Sequence, residues 1–322
     1  MRPLSAVEKR FAEENRIPLE ALAAPPRGEK IGISEGGKFS PQNLVAPQLD
    51  AIQIIGKERF GNSVHRLVNA LGLARALEIR LVFIPHWEFL EDEFAIEGVQ
   101  FTKEEPRSYC RILWGSFEKS TLIHHLIGPV DVRRAISDLT AGFAFDTRPP
   151  PRGNESLTIH IRSGDVFEGN HAKHYGQPPL AFYQRVFDEE DWRHVCVVFQ
   201  NLSNPVITPL LKWLDSRGII LEIIDRDVRP ALEELWRARN LVASNGSFLE
   251  AALASSANLE KIYVFGQRSA SKLSLFGGPL ETREYRDYFG LYEREVMLAW
   301  RDARWQRNLM MLMPKWTIIS TE

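Results

Sequence analysis

The stretch that decides the fold is Leu157-Thr-Ile-His-Ile-Arg-Ser-Gly-Asp-Val-Phe167. Apolar residues alternate over residues 157–161, and this pattern predicts a buried β-strand. Ser163-Gly-Asp165 is a turn sequence that ends the strand at the carboxyl edge of a sheet. Ligands of α/β proteins bind at that edge. The segment therefore predicts an α/β fold with a ligand site beside this loop.

Arg162 is the residue of this loop best suited to hold a phosphate. Its planar guanidinium presents paired N–H donors that match the oxygens of a phosphate. An ion pair between Arg162 and Asp165 that only ties the loop together explains the same residues equally well. The motif by itself leaves both interpretations open.

Strand and helix patterns alternate through the second half of the chain, and this alternation predicts a doubly wound, parallel sheet. The predicted strands cover residues 157–161, 194–199, 219–224, 241–244 and 262–265. The predicted helices cover residues 179–187, 206–216, 231–239 and 246–255. Earlier in the chain, a strand over 52–55, a helix over 64–77 and a strand over 81–84 predict a βαβ unit.

These patterns divide the chain into four segments. Residues 1–48 are an N-terminal extension, 49–150 and 151–270 are two Rossmann-like domains, and 271–322 is a C-terminal helical segment. The proline-rich run over residues 146–155 is the predicted linker. Trp300, Trp305 and the methionines from Met310 to Met313 are either a lipid-facing stripe or the packing face of the C-terminal helix, and we favour packing.

The composition excludes several classes of protein. A chain of 322 residues with 44% hydrophobic and 25% charged residues is typical of a globular protein, and its net charge of −2 argues against a nucleic-acid partner. Cys110 and Cys196 are too few for a disulfide framework or a zinc cluster. No apolar run is long enough to span a bilayer, so we expect a cytoplasmic protein, with peripheral membrane contact left open.

Three polar segments stand where a predicted strand passes into a helix. Gly61-Asn62 comes first, and Asn62 can cap the helix or bind a sugar hydroxyl. His160-Ile-Arg-Ser-Gly-Asp165 is the second. Ser244-Asn-Gly-Ser-Phe248 is the third, and it places backbone N–H groups and a hydroxyl at a helix N-terminus suited to anions. Helix capping alone also explains the first and third segments, and for the first segment taken singly we favour it slightly.

In this order and spacing, the three segments resemble the fucosyltransferase superfamily with the His-x-Arg-x-Gly-Asp motif, which includes bacterial α-1,2-fucosyltransferases and protein O-fucosyltransferases. Arg59-Phe-Gly-Asn62 is similar to the family's first Gly-Asn element, and Leu241-Val-Ala-Ser-Asn-Gly-Ser-Phe248 to its segment ending in Ser-Ser-Phe. The resemblance covers about residues 50–268. The chain departs from it at Ser163, where the family usually has a second arginine, and at Gly246, which replaces a serine.

The resemblance implies a GT-B-like fold, with two Rossmann-like doubly wound domains facing a cleft. It also implies an inverting, metal-independent glycosyltransferase that uses no cofactor, with GDP-fucose as the donor and a carbohydrate hydroxyl as the acceptor. Arg162 is the implied catalytic residue, because it would bind the β-phosphate and the glycosidic oxygen. The other implied donor-binding residues are Asn62, His160, Asp165, Asn245, Ser247 and Phe248.

Two roles are less well defined by the resemblance. Related enzymes either use an acidic residue as the base for the acceptor or manage without a base. Glu168, His171 and His174 are the candidates here, with Glu168 first. A solvated loop explains all three residues as well. Ala231-Leu-Glu-Glu234 stands where the family often has a guanine-binding aspartate, so Glu233 or Glu234 is the expected substitute. Two alternatives therefore remain: another nucleotide sugar on the same fold, or a non-catalytic module that binds a glycan or nucleotide.

Overall fold

The structure of the protein is a computed structural model. It describes residues 30–32, 49–56, 59–104, 112–117, 132–145, 148–168, 175–225, 227–266 and 280–321. The chain forms two compact units, Met1–Phe145 and Asp146–Glu322. None of the described helices is long and apolar enough to cross a membrane.

The first unit is built on a six-stranded sheet. In chain order its strands are β1 (Lys30–Gly32), β2 (Ala51–Ile54), β3 (Leu81–Phe83), β4 (Glu93–Ile96), β5 (Val99–Thr102) and β6 (Ile112–Gly115). Their order across the sheet is β1-β6-β2-β3-β5-β4, and all neighbours are parallel except the pair of β4 and β5. The described α-helices of this unit are α1 (Phe60–Ala76) and α2 (Val132–Leu139).

Helix α1 confirms the predicted βαβ unit, because it connects the parallel strands β2 and β3. Val64, Leu67, Val68 and Leu71 recur at helical spacing and are buried, which explains why this segment is a helix. The helix begins at Phe60 and not at its predicted start, residue 64, because Phe60-Gly-Asn-Ser63 is helical too. These residues form the first turn of α1, so its buried face begins with Phe60.

The second unit is built on a seven-stranded sheet. Its strands are β7 (Ser156–Ile161), β8 (His194–Phe199), β9 (Ile220–Asp225), β10 (Asn240–Val242), β11 (Lys261–Phe265), β12 (Glu281–Asp287) and β13 (Ile318–Thr321). Their order is β13-β12-β11-β10-β7-β8-β9, and only the pair of β12 and β13 is antiparallel. The described α-helices are α3 (Leu180–Phe187), α4 (Ile207–Asp215), α5 (Val228–Arg237), α6 (Ser247–Ser255) and α7 (Arg304–Leu312).

The predicted α/β class is confirmed by these two predominantly parallel sheets. The order β9-β8-β7-β10-β11-β12 reverses direction between β7 and β10, as in a doubly wound sheet. Each of the five predicted strands of the second half is present, with ends shifted by two residues or fewer. Helix α5 begins three residues before its predicted start at Ala231.

The C-terminal segment is not the long helix predicted from its pattern. It contains β12, a π-helix (Glu293–Met297), α7 and β13, and the two strands extend the sheet of the second unit. Gly290 and Asp302 have φ angles of 64° and 52°. An α-helix cannot contain this left-handed backbone, so the helical pattern is interrupted at both residues.

Packing of the C-terminal segment supports the loop that follows β7. Trp300 is fully buried, and its Nε1 donates a hydrogen bond of 2.9 Å to the carbonyl oxygen of Val166. Arg307 donates to the carbonyl oxygen of Phe167 at 2.9 Å. Met310 is also fully buried. The packing interpretation of Trp300 and Met310 is therefore confirmed, whereas Trp305 is half exposed.

Candidate functional site

The candidate site lies at the carboxyl edge of the sheet in the second unit. Three loops meet there, because β8 and β10 are the two parallel neighbours of β7. The loops cover residues 162–168 after β7, 200–206 after β8 and 243–246 after β10. The topology thus brings these three loops together at the point where the strand order reverses.

Arg162 is held at this edge with part of its guanidinium unused. Its Nη2 donates a hydrogen bond of 2.7 Å to Oδ1 of Asp165. Its Nε is buried and has no hydrogen-bond partner among the described residues. Only 14% of the side chain is exposed. A buried donor without an acceptor is unfavourable by about 1–3 kcal/mol, so an anion that reached this guanidinium would supply acceptors that the described part of the chain does not.

The backbone of Arg162 is fixed from both neighbouring loops. Its N–H donates to Oγ of Ser244 at 3.0 Å, and its carbonyl oxygen accepts from Nδ2 of Asn204 at 2.8 Å. Asn204 is buried and its Oδ1 accepts from the N–H of Val206 at 3.0 Å. The loops after β8 and β10 therefore set the position of Arg162, which reduces the reorganisation needed when a ligand binds.

His160 is a buried neutral group beneath the site. Its Nδ1 lies 2.8 Å from Oγ of Ser244, and its ring stacks on Phe248 with centroids 5.7 Å apart. Burial, together with the positive charge of Arg162, lowers the pKa of His160 to about 3. Because this imidazole is uncharged near neutral pH, the positive charge at this position belongs to Arg162 alone. His160 is therefore suited to shape the loop rather than to transfer protons.

Ser163 and Gly164 tie the loop to the segment after β8. Oγ of Ser163 accepts from the N–H groups of Gln200 and Asn201 at 3.1 and 3.0 Å, and Ser163 is buried. Gly164 has a φ of 78°, and a Cβ there would lie 2.5 Å from Oε1 of Gln200. Position 163, where the resembled family usually has a second arginine, is thus occupied by a small structural residue that accepts two backbone hydrogen bonds.

Helix α6 begins beside Arg162. A Cβ on Gly246 would lie 3.5 Å from Cδ and 3.6 Å from Nη1 of Arg162. Ser247 and Phe248 stand in the first turn of α6, which also contains the buried Glu250, and Gly246 offers no side chain at the N-cap position. The N-terminus of a helix favours negative charge, and here it adjoins a guanidinium. The two features together form a site suited to an anion.

Asn245 connects this helix end to a further loop. Its N–H donates to Oε1 of Gln177 at 3.4 Å, and its Nδ2 donates to the carbonyl oxygen of Gly176 at 3.2 Å. Gln177 is fully buried, and its carbonyl oxygen accepts from the hydroxyl of Tyr292 at 2.6 Å. These bonds give Asn245 a role in positioning α6.

The structure therefore brings together six of the residues predicted from the sequence. They are His160, Arg162, Asp165, Asn245, Ser247 and Phe248. Asn62 lies in the first turn of α1, in the other unit. Glu168 is exposed, and its Oε1 accepts from Nδ2 of Asn201 at 2.9 Å. His171 and His174 lie outside the described residues.

Glu234 is not placed to recognise a base, which corrects one expectation. It is buried within the unit. Nε of Arg152 donates to both of its carboxylate oxygens, each at 3.1 Å. The hydroxyl of Thr158 donates to its Oε1 at 3.0 Å. Glu233 pairs instead with Arg229, at 2.9 Å along the surface of α5. Both carboxylates therefore have structural partners.

Cys196, Glu222 and Glu234 form a cluster whose ligand atoms lie within 4.8 Å of one another. The guanidinium of Arg152 contacts both carboxylates, with Nη1 donating to Oε1 of Glu222 at 3.1 Å. Burial is the main cause that raises the pKa of the Cys196 thiol. A fixed positive charge and a protonated thiol oppose a metal ion, so the cluster is an ion-pair network that attaches the linker to the sheet.

Sequence reasoning missed Asn204 and Gln177, which support the site from outside its motifs. Asn204 could have been found from the sequence. The polar run Gln200-Asn-Leu-Ser-Asn204 follows an apolar strand, just as the loop after β7 does. Gln177 could not have been found in this way, since its partners lie 68 and 115 residues away.

Comparison with solved structures finds several similar chains. One of them is a structure of a point mutant of FUT1 from Arabidopsis thaliana in complex with GDP, with 10% sequence identity and a TM-score of 0.40. The similarity covers 82% of this chain and 78% of that chain. No family model matches the sequence, and no curated protein matches it.

Proposed function

We propose that the second unit binds the diphosphate of a nucleotide sugar and that the protein is a glycosyltransferase. The single observation that carries the proposal is the guanidinium of Arg162 beside the N-terminus of α6, with a buried Nε from which no residue described in the structure accepts a hydrogen bond. A planar fork of donors next to a helix end is the arrangement that holds a phosphate group. The motif resemblance extends the proposal to fucose transfer from GDP-fucose onto a hydroxyl of a carbohydrate.

The proposed reaction is a single displacement that inverts the anomeric carbon. The acceptor hydroxyl forms a new bond to that carbon, while the bond from the carbon to the phosphate oxygen breaks and its electron pair leaves with GDP. Negative charge grows on the β-phosphate, where Arg162 and the N–H groups of α6 stabilise it. In this proposal these groups take the part that a metal ion plays in other enzymes, and no cofactor is used.

Glu168 is the proposed base that takes the proton of the acceptor hydroxyl. It lies six residues after Arg162 on the same loop and is exposed. Its hydrogen bond to Asn201 fixes one of its two carboxylate oxygens. The other donor-binding roles, including that of Asn62 on the sugar, belong to the same proposal. So does a cytoplasmic location, because two cysteines offer no disulfide framework.

A second candidate keeps the reaction and changes the donor. Glu234 is engaged by Arg152 and Thr158, and Glu233 pairs with Arg229. The residues expected to select guanine are therefore bound elsewhere, which favours testing other nucleotide sugars on the same phosphate site. A non-catalytic module that binds nucleotide or glycan would use the same residues without turnover.

Thermal unfolding with GDP, GDP-fucose, UDP and ADP tests the phosphate site. A ligand at 100 times its dissociation constant stabilises the folded state by about 2.7 kcal/mol. Stabilisation should be lost in Arg162→Ala and should be reduced in Arg162→Lys, which keeps the charge but not the paired donors. Arg193→Ala is the matched control, because Arg193 is 74% exposed and precedes β8, at the opposite edge of the same sheet.

The nucleotide that stabilises the protein identifies the donor class. Stabilisation by GDP compounds alone supports GDP-fucose as the donor, whereas stabilisation by UDP or ADP indicates a different nucleotide sugar as the donor. Release of nucleotide that depends on added acceptor and persists in EDTA supports metal-independent transfer. Binding without turnover indicates a binding module, and stabilisation by no nucleotide refutes the proposal.

A further inference from the structure

One hydroxyl joins the end of β7 to the segment that leads into α6. Ser244 is buried, and its Oγ accepts from the N–H of Arg162 at 3.0 Å and lies 2.8 Å from Nδ1 of His160. Ser244 stands three residues before Ser247, the first residue of α6. A single side chain therefore contacts both the arginine of the site and the ring beneath it.

The hydroxyl continues the hydrogen bonding of the sheet beyond the point where the strands stop pairing. β7 and β10 are parallel neighbours, and their last pair of residues is Ile159 and Val242. Beyond this pair, the N–H of Arg162 finds its acceptor in the Ser244 side chain rather than in the backbone of β10. Ser244 thus satisfies a backbone donor that strand pairing does not reach.

The same hydroxyl determines which nitrogen of His160 carries the proton. A hydroxyl has one hydrogen to donate, whereas a backbone N–H can only donate. The N–H of Arg162 therefore uses a lone pair of Oγ, and the buried hydroxyl hydrogen needs an acceptor of its own. Among the described residues, Nδ1 of His160 is the group within hydrogen-bond distance that can accept it. The imidazole is then neutral, with its proton on Nε2.

The electrostatics of the site favour the same form of the ring. Burial and the charge of Arg162 lower the pKa of His160 to about 3. A proton on Nδ1 would turn this nitrogen from an acceptor into a donor, so the Ser244 hydroxyl would lose the group that accepts its hydrogen. Hydrogen bonding and burial therefore both keep the ring neutral.

Ser244 is also the contact that ties Arg162 to the segment before α6. Asp165 binds the guanidinium from its own loop at 2.7 Å, and Asn204 holds the carbonyl oxygen of Arg162 from the loop after β8. Neither of these contacts involves the segment before α6. The start of this helix is close, because a Cβ on Gly246 would lie 3.6 Å from Nη1 of Arg162. The Ser244 hydroxyl therefore sets how the guanidinium and the helix N-terminus face a common ligand.

We propose that Ser244 is a positioning residue of the phosphate site, whose single hydroxyl fixes His160 with its proton on Nε2 and aligns Arg162 with the N-terminus of α6. The effect on phosphate binding rests on the proposed function, whereas the effect on His160 does not. Because Ser244 acts through two neighbours, its replacement should change both the histidine ring and the affinity for nucleotide.

Nitrogen-15 NMR of the full chain, labelled at histidine, tests the effect on His160. The chain has eight histidines, and the spectrum of His160→Asn identifies the signals of this one. In the wild type at neutral pH we expect a protonated Nε2 and an unprotonated Nδ1. In Ser244→Ala the two nitrogen signals should move toward each other, because the hydrogen bond that selects one tautomer is gone. Ser244→Thr keeps the hydroxyl and should keep the wild-type pattern.

Calorimetric titration with the nucleotide that stabilises the wild type, GDP first, tests the effect on Arg162. Ser244→Ala should bind about tenfold more weakly, because the N–H of Arg162 loses its acceptor and the guanidinium its alignment with α6. Ser244→Thr should bind within about threefold of the wild type. Ser244→Cys keeps the shape of serine with a weaker donor, so its affinity should be intermediate. It replaces the alanine variant if that variant does not fold.

Ser255→Ala is the matched control. Oγ of Ser255 accepts from Nε1 of Trp236 at 2.9 Å and donates to the carbonyl oxygen of Ala251 at 2.9 Å. Ser255 is the last residue of α6, so the same substitution removes a comparable pair of hydrogen bonds at the far end of the same helix. Urea denaturation should show a similar loss of stability in both alanine variants. Only Ser244→Ala should change the His160 spectrum and the affinity.

Three outcomes would overturn the proposal. They are a proton on Nδ1 of His160 in the wild type, a Ser244→Ala variant with the spectrum or the affinity of the wild type, and an equal loss of affinity in Ser255→Ala. A wild type that binds none of the nucleotides would refute the proposed function and with it the effect on phosphate binding. The spectra would still decide whether Ser244 fixes His160, so the two failures are distinguishable.

Discussion

Replacing His160 by asparagine is expected to make the protein less sensitive to mild acid. Burial and the charge of Arg162 lower the pKa of His160 from 6.5 to about 3 in the folded chain. Between these two values the unfolded chain binds a proton that the folded chain does not. The free energy of unfolding therefore decreases as the pH falls below 6.5. Asparagine keeps a polar group facing Ser244 and does not titrate.

The size of the effect follows from the two pKa values. The full difference between 6.5 and about 3 corresponds to about 5 kcal/mol, most of it lost below pH 5. Between pH 7.5 and pH 5 the wild type should lose about 2 kcal/mol through this histidine alone. Unperturbed carboxyl groups are largely ionised in both states over this range. The interval from pH 7.5 to pH 5 therefore reports mainly on histidine.

Urea denaturation of the wild type and His160→Asn at pH 7.5, 6.5, 5.5 and 5.0 measures this difference. Circular dichroism gives the free energy of unfolding, and the gap between the two proteins should narrow or reverse by about 2 kcal/mol as the pH falls. Titration of the imidazole C2 proton by NMR supplies a direct check. Parallel stability curves, or a His160 that titrates near pH 6.5, would refute the burial of a neutral ring beneath Arg162.

Three further predictions concern the packing around the site. Gly246→Ala should leave stability nearly unchanged, because the added Cβ would lie at ordinary contact distance from Arg162. It should weaken nucleotide binding, because the Cβ occupies space beside the guanidinium. Calorimetric titration measures the affinity, and an unchanged affinity would contradict this prediction. Trp300→Ala should lower the free energy of unfolding by about 3–5 kcal/mol, and a loss below 1 kcal/mol in urea denaturation would show that this ring is not buried. The hydrogen bond from Arg152 lowers the pKa of Glu222. In Glu222→Gln, the free energy of unfolding should therefore fall less steeply with pH below the ordinary pKa of glutamate than it does in the wild type. An equally steep fall in both proteins during an acid titration would contradict this prediction.

The strands of the second unit could be predicted because local sequence determines them. Each is an apolar run bounded by turn residues, and β8 has the predicted bounds. The C-terminal segment could not be predicted in the same way. Its apolar residues have helical spacing, but Trp300 packs under a loop whose contact residue, Val166, is 134 positions away. The partner of such a residue is fixed by the tertiary structure, which a local pattern does not contain.

For the candidate site, the meeting of the loops could be predicted from local sequence, but the atoms that hold Arg162 in place could not. Polar residues that follow apolar strands lie at one edge of a parallel sheet, so the loops after β7 and β10 could be expected to meet. The atoms that hold Arg162 could not be expected. Asn204 and Ser244 act through hydrogen bonds to its backbone, and a backbone partner is not visible in a motif.

The contacts of Arg162 help to decide whether this residue only ties its loop together or binds a ligand. The ion pair with Asp165 exists, at 2.7 Å, so the structural interpretation describes a real contact. That contact uses one nitrogen of the guanidinium, and the backbone of Arg162 is fixed without its side chain. An arginine retained only to tie the loop would be expected to have its buried donors satisfied, as nearly all buried polar groups in proteins do. Among the described residues Nε of Arg162 lacks a partner, but so does Nε of Arg237. It is therefore the helix N-terminus beside Arg162 that favours a guanidinium which Asp165 orients and an anion completes.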